Sequence, residues 1–273
     1  MLGLQPSAPD RTMRVAVELA DLLHLDLLGL LIEDTSLRDL AKIPFARELR
    51  SLGGGWRAIH LDQLSRDFEL SARSIERMFT DAASRLSTRY QFELVRGTLA
   101  ETIASISRTG DIVMIFEPLN PAERATQQFT WLLQAAFQSA GAVMLVPTQI
   151  TRTKGPIVAI AAAADDPSIH AAAAIALAAK EELVIIEADG LDANDPHIST
   201  FAANTGLTIK RLSAAKIALP DPAICAQAFR QTQERLIVMT RGAFEDTAAS
   251  AIAAARRVPV LVIEPLSGAE AGH

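Results

Sequence analysis

This sequence predicts an α/β chain of two similar halves, each built on a doubly wound parallel sheet. Three observations carry that reading. Short, wholly apolar runs bounded by turn residues recur along all 273 residues. Segments with apolar side chains at helical spacing lie between them. The second half then repeats the order of the first. Strands alternating with helices imply right-handed βαβ crossovers and parallel pairing, and runs apolar on every residue fit strands covered on both faces.

In the first half the strand candidates are Leu25–Ile32, Phe92–Val95, Ile112–Phe116 and Val143–Val146. Helices are expected over Arg11–Leu23, with Val15, Leu19 and Leu22 in one stripe, and over the long charged segment Leu61–Leu86. Two more are expected over Thr98–Ser107 and Ala122–Phe137. In the second half Ile157–Ile160, Leu183–Ile186, Leu207–Leu212, Leu236–Met239 and Val260–Ile263 read as strands. Asp166-Pro167 supplies an N-cap and a first-turn proline for a helix running to about Ala179. Further helices are expected over Pro196–Asn204, Asp221–Thr232 and Asp246–Ala255. The polar linker Thr148–Gly155 divides a first domain, 1–148, from a second, 153–273. The repeat is a whole domain long, so a solenoid is excluded.

Composition narrows the function classes. With 26 Lys and Arg against 32 Asp and Glu, the net charge is −6, and the longest basic cluster is Arg256-Arg257. Phosphate neutralisation needs clustered cations, so no nucleic-acid partner is expected. The single cysteine, Cys225, builds neither an intrachain disulfide nor a cysteine-rich metal site, and fits a reducing compartment. The most apolar tract, around 157–179, is interrupted by Asp165, Asp166, Pro167 and His170, so no membrane insertion is expected. With no signal-peptide pattern at the start, a cytoplasmic location follows. The five histidines are scattered without metal-ligand spacing, so no metal is expected. Neither a Gly-x-Ser-x-Gly elbow nor a Walker-type loop occurs, so no catalytic residue is assigned.

The two halves match in detail. Asp111-Ile-Val-Met-Ile corresponds to Arg235-Leu-Ile-Val-Met-Thr, and Ala142-Val-Met-Leu-Val-Pro to Pro259-Val-Leu-Val-Ile-Glu-Pro. With Gly3-Leu-Gln-Pro-Ser7 as an opening strand and turn, and Arg96-Gly-Thr-Leu-Ala-Glu-Thr-Ile103 as a third strand entering its helix, the chain resembles the universal stress protein family in its tandem form. The resemblance implies a five-stranded parallel sheet of order 3-2-1-4-5 in each half, with flavodoxin-like layers. It also implies an intramolecular pseudo-dimer in which Val143–Val146 pairs with Val260–Ile263, and a non-catalytic stress-response or regulatory role.

Nucleotide-binding members of that family carry an Asp at the end of the first strand and a Gly-x-x-Gly-x9-Gly-Ser/Thr segment after the fourth. Such glycines let backbone N–H groups cradle phosphate oxygens. This sequence departs from both features. Gln5 stands at the first turn, no glycine lies between Gly110 and Gly141, the second-half position is Ala161, and only Gly242 follows the fourth strand before Pro259. No cofactor is therefore expected. An altered crevice at the carboxyl ends of the strands, serving a small molecule or an adenine nucleotide, is the second reading. It would draw on Gln5, Ser7 and Glu117 in one half and Ala161, Asp165, Thr240 and Gly242 in the other. Asp165 or Asp166 could replace the missing acid, though helix capping is the plainer role for Asp-Pro. An enzyme of the related adenine-nucleotide hydrolase type would need a phosphate loop that is missing.

Only the first half carries a long insertion, 34–60, with an amphipathic stretch Leu37–Phe45 and the triplet Gly53-Gly54-Gly55. The triplet reads as a flexible loop. The insertion is a candidate surface for a protein partner or, equally, a cap on the sheet edge or crevice. Self-association into a homo-oligomer is left open.

Overall fold

The computed structural model describes residues 2–4, 10–35, 39, 42–43, 47–50, 54–58, 61–87, 89–118, 120–163, 165–187, 200, 204, 206–213, 232–242 and 248–265. In chain order its elements are β1 (Leu2–Leu4), α1 (Asp10–Leu22), β2 (Leu27–Asp34), β3 (Arg47–Arg50), β4 (Gly54–Ala58), α2 (Leu61–Ala83), β5 (Tyr90–Gly97), α3 (Leu99–Ile106), β6 (Ile112–Phe116), α4 (Pro121–Arg124), α5 (Gln127–Ser139), β7 (Ala142–Val146), β8 (Ile157–Ala161), α6 (Pro167–Ala179), β9 (Leu183–Glu187), β10 (Ile209–Ser213), β11 (Leu236–Thr240), α7 (Ala248–Arg256) and β12 (Val260–Ile263).

Ten strands form one sheet of order β10-β9-β8-β11-β12-β7-β6-β1-β2-β5. The first block is β5-β2-β1-β6-β7 and the second is β10-β9-β8-β11-β12. Every neighbouring pair within a block is parallel. The blocks meet through β7 and β12, which pair antiparallel with Val260 opposite Leu145 and Val262 opposite Val143. These are the two runs that the sequence sets against one another. The pairing fuses two five-stranded blocks into a single sheet and covers two apolar edges that would otherwise invite association.

Successive side chains on a strand point to opposite faces, and the core divides accordingly. Met114, Met144, Ala159, Ile185, Val238 and Leu261 face one side, under α1, α2 and α6. Val113, Val143, Val158, Val184, Ile237 and Val260 face the other, under α3, α5 and α7. Both core layers run across both blocks. The junction strands are as buried as any: Val143, Met144 and Val260 are 0% exposed. At about 1.5–3 kcal/mol for each buried aliphatic side chain, this junction is a core and not a docking surface.

The helix ends show local sequence at work. The Asp166 side chain accepts a hydrogen bond from the Ser168 N–H, with Pro167 in the first turn, and α6 starts there. Helices α1 and α6 close in the same way. His24 and Lys180 follow them with φ of 53° and 55°, and a backbone bond then spans Leu25 to Ala20 and Glu181 to Ala176. That is a left-handed cap built twice without glycine.

Two local readings change. The helix expected over Ala122–Phe137 is broken into α4 and α5, because Thr126 turns its side chain onto the Phe129 N–H and starts a new helix. The Gly triplet is not only a loop, since Gly54 and Gly55 open strand β4, which pairs antiparallel with β3 in a separate two-stranded sheet. The register shifts beside Arg50, opposite Gly54, an irregularity of the kind glycine accommodates. The helix expected over 196–204 lies outside the described residues but for Thr200 and Asn204, that over 221–232 but for Thr232, and so do about half of 34–60 and Cys225.

Candidate functional site

In a doubly wound sheet, loops at the carboxyl ends of the strands diverge where the winding reverses, and they leave a crevice there. Each block has such a point, between β1 and β6 in the first and between β8 and β11 in the second.

In the second block the crevice is occupied by the chain's own carboxylate. Asp166 is 5% exposed. One oxygen accepts from the Ala162 N–H at 2.8 Å, and the other from the Ser168 N–H at 2.9 Å and from the Thr240 hydroxyl. Ser168, itself buried, donates to the Ile160 carbonyl at 3.1 Å. Asp166 thus ties together the end of β8, the first turn of α6 and the end of β11. A helix N-terminus at this place is where an anionic ligand is favoured, and here an internal anion holds it. Of the residues proposed from sequence, Ala161 and Thr240 border this cluster. Asp165 is exposed, while Asp166 is the inward acid. Gly242 is exposed, with φ of 79°.

In the first block Gln5 and Ser7 lie outside the described residues. The N-termini of α3 and α5 are capped by Thr98 and Thr126. Between them lies a cavity of about 290 Å³ lined by Leu99, Pro118, Glu123, Thr126, Gln128, Phe129 and Leu132.

Glu117 directly follows β6 and is 1% exposed. Neither carboxylate oxygen makes a well-formed hydrogen bond among the described residues, although the Ser250 hydroxyl lies near enough to favour the charged form weakly. Burial pushes its carboxyl up to about 7, and the Ser250 hydroxyl and the Arg124 charge oppose the rise only in part. Glu117 borders a second cavity, of about 160 Å³, with Pro118, Arg124, Pro147, Thr148, Gln149, Ala254 and Arg257. This cavity lies on the seam between the blocks, because α7 belongs to the second.

Two polar assemblies, one buried and one half-buried, escaped the sequence reading. Glu234, 0% exposed, accepts from Arg256 Nε at 2.7 Å, from Arg152 Nη2 at 3.1 Å and from the Thr232 hydroxyl at 2.9 Å. Arg152 Nε also donates to the Glu234 carbonyl at 2.9 Å. This Arg–Glu–Arg cluster pins the linker to the amino-terminal end of β11 and the last turn of α7. On the seam, Arg241 donates to the Phe137 carbonyl at 2.8 Å, pairs with Glu264, and lies 5.0 Å over the Phe137 ring. Neither assembly has a local signature, since partners up to 104 residues apart meet only in the fold.

No protein-family model matches the chain, and no curated protein does. Among solved structures it is similar to a universal stress protein from Archaeoglobus fulgidus DSM 4304, with a TM-score of 0.63 and 14% identity, over 97% of this chain and 96% of that one. The two share a fold. Coverage of both chains nearly end to end means that the likeness includes both blocks. At this identity it speaks for architecture alone. Among the described residues no group of three or more His, Cys, Asp or Glu is placed to hold a metal ion. No described helix is long and apolar enough to cross a membrane.

Proposed function

We propose that this chain is a tandem protein of the universal stress protein type, with domains 1–148 and 153–273, that acts by binding and not by catalysis, and that does not hold ATP in that family's manner. The observation that carries the reading is Asp166. Its carboxylate takes two backbone N–H groups and the Thr240 hydroxyl at the second crevice. A nucleotide phosphate placed there would meet a fixed negative charge and donors already engaged. The similarity to a universal stress protein over 97% of the chain supports the type.

The test is a thermal-shift series with ATP, ADP and AMP on the purified full chain, beside mass spectrometry of any released nucleotide. No shift and no nucleotide is the expected result. A saturable shift with ATP, or co-purified ATP or AMP, overturns the non-binding reading. It would favour the second one, a nucleotide or small-molecule sensor, which the 290 Å³ cavity beside the capped ends of α3 and α5 supports. The insertion 34–60 is our candidate for contact with a protein partner, checked by comparing what the full chain and a 34–60 deletion retain.

A further inference from the structure

The seam between the two blocks is filled differently at its two ends. Strands β6 (Ile112–Phe116) and β11 (Leu236–Thr240) align end to end, and the residue after each donates its N–H to the neighbouring strand, Glu117 to Val146 and Arg241 to Ile263, which puts Glu117 at the position of Arg241. On the β11 side Arg241 fills the seam. Its guanidinium meets the Glu264 carboxylate and the Phe137 carbonyl across the junction. On the β6 side a carboxylate is present; the Ser250 hydroxyl lies near it, but no described group makes a well-formed hydrogen bond to it. Buried polar groups in folded chains almost always have a partner, so an orphaned carboxylate facing a cavity calls for one from outside.

The cavity, about 160 Å³, lies well below the 300–1,000 Å³ of sites that take drug-sized ligands, so it suits a molecule of a few heavy atoms. Its lining sets the chemistry. Arg124 is half-buried and held by the Pro118 carbonyl at 2.9 Å; Arg257 is exposed at the mouth; Thr148 and Gln149 add neutral polar groups. A simple cation would meet two arginines, and a simple anion would meet Glu117. A molecule with a donor beside an anion satisfies both. We propose that this cavity binds a small α-amino or α-hydroxy carboxylate, its ammonium or hydroxyl donating to Glu117 and its carboxylate facing Arg124 and Arg257. Glu117 also borders the first-block crevice at the end of β6, so the probes tell the two tests apart: nucleotides in one, small amino- and hydroxycarboxylates in the other.

Isothermal titration calorimetry on the full chain at neutral pH tests it, with glycine, L-serine and L-lactate as probes. Acetate, which lacks the donor, and ethanolamine, which lacks the carboxylate, are the comparators. At least one probe is expected to bind saturably and about tenfold or more tighter than both comparators. Glu117→Leu and Arg257→Ala should each weaken it by about tenfold or more, since each removes one charged partner. Arg257 is exposed, so its variant keeps the test valid if Glu117→Leu fails to fold by circular dichroism. Saturation by none of the three probes, comparators binding equally well, or unchanged affinity in Arg257→Ala would each overturn the proposal.

Discussion

Glu117 makes stability depend on pH in a way that can be worked out. Its carboxyl lies at about 7 in the folded chain against an ordinary 4.5, chiefly because burial disfavours the charge. A tenfold change in proton affinity is worth about 1.4 kcal/mol, so this interval corresponds to about 3 kcal/mol. The sign follows from which state holds the proton. Below 4.5 both states are protonated and the full contribution is present. Between 4.5 and about 7 the unfolded chain has released its proton and the folded chain has not, so stability falls as pH rises. Above about 7 the contribution is gone. The perturbation is Glu117→Gln, which is neutral throughout and keeps the side chain's size. The variant's stability at a single pH is not diagnostic, because a buried amide without partners carries its own cost of about 1–3 kcal/mol. The diagnostic is the difference in slope. Urea unfolding followed by circular dichroism at pH 5 and at pH 8 should show the native chain losing about 2–3 kcal/mol more than the variant over that interval. Parallel pH profiles for the two proteins would refute the reasoning and place the Glu117 carboxylate in contact with water or a cation.

Other substitutions probe the remaining buried charges and the linker. Asp166→Ala removes the α6 cap and the bond from Thr240, and should lower unfolding free energy by about 3 kcal/mol in urea titration. Glu234→Ala leaves Arg152 and Arg256 facing one another and should lower it by about 3–5 kcal/mol; the double variant with Arg152→Ala should cost clearly less than the sum of the singles. Gly155→Ala should lower it by about 3 kcal/mol or more, because φ is +125° there and a Cβ would lie 2.1 Å from the Gln233 carbonyl oxygen. Lys180→Gly relieves a left-handed lysine after α6 and should raise the thermal midpoint, with a gain of up to about 1 kcal/mol.

The strands were legible because nothing else explains short runs apolar on every residue. Ile112–Phe116 and Val260–Ile263 have the same bounds in sequence and structure, and most other strands differ by a residue or two. The start of α6 was legible because Asp-Pro before an apolar segment has one economical use. The β3–β4 hairpin was not, because Arg47–Arg50 has little apolar alternation and Gly54-Gly55 reads as a break. The split between α4 and α5 was missed because Thr126 is an ordinary polar residue until its side chain turns back onto the backbone. The site was legible only in part. Glu117 and Thr240 stood out as residues after the fourth strands, yet which of Asp165 and Asp166 turns inward is decided by helix phase and not by composition. The Glu234 cluster joins residues 82 and 22 positions apart, a separation that carries no local signal.

The two blocks share a scaffold and differ where charge is buried. A repeated sheet needs only apolar strands and helix caps, and either can be satisfied by many sequences, which is how the fold persists at 14% identity. A carboxylate placed below the surface is more demanding, since each one must find donors or stay neutral. Asp166 finds two backbone N–H groups and a hydroxyl; Glu234 finds two arginines and a hydroxyl; Glu33 finds Arg96. Glu117 alone of these four makes no well-formed hydrogen bond among the described residues, although an aliphatic side chain would sit at 1% exposure at no such cost. Conflicts of this kind between a residue and its surroundings are where folded chains depart from the best packing for a purpose. That reasoning, and not the resemblance to any relative, makes the seam at Glu117 the first place to look for what this protein binds.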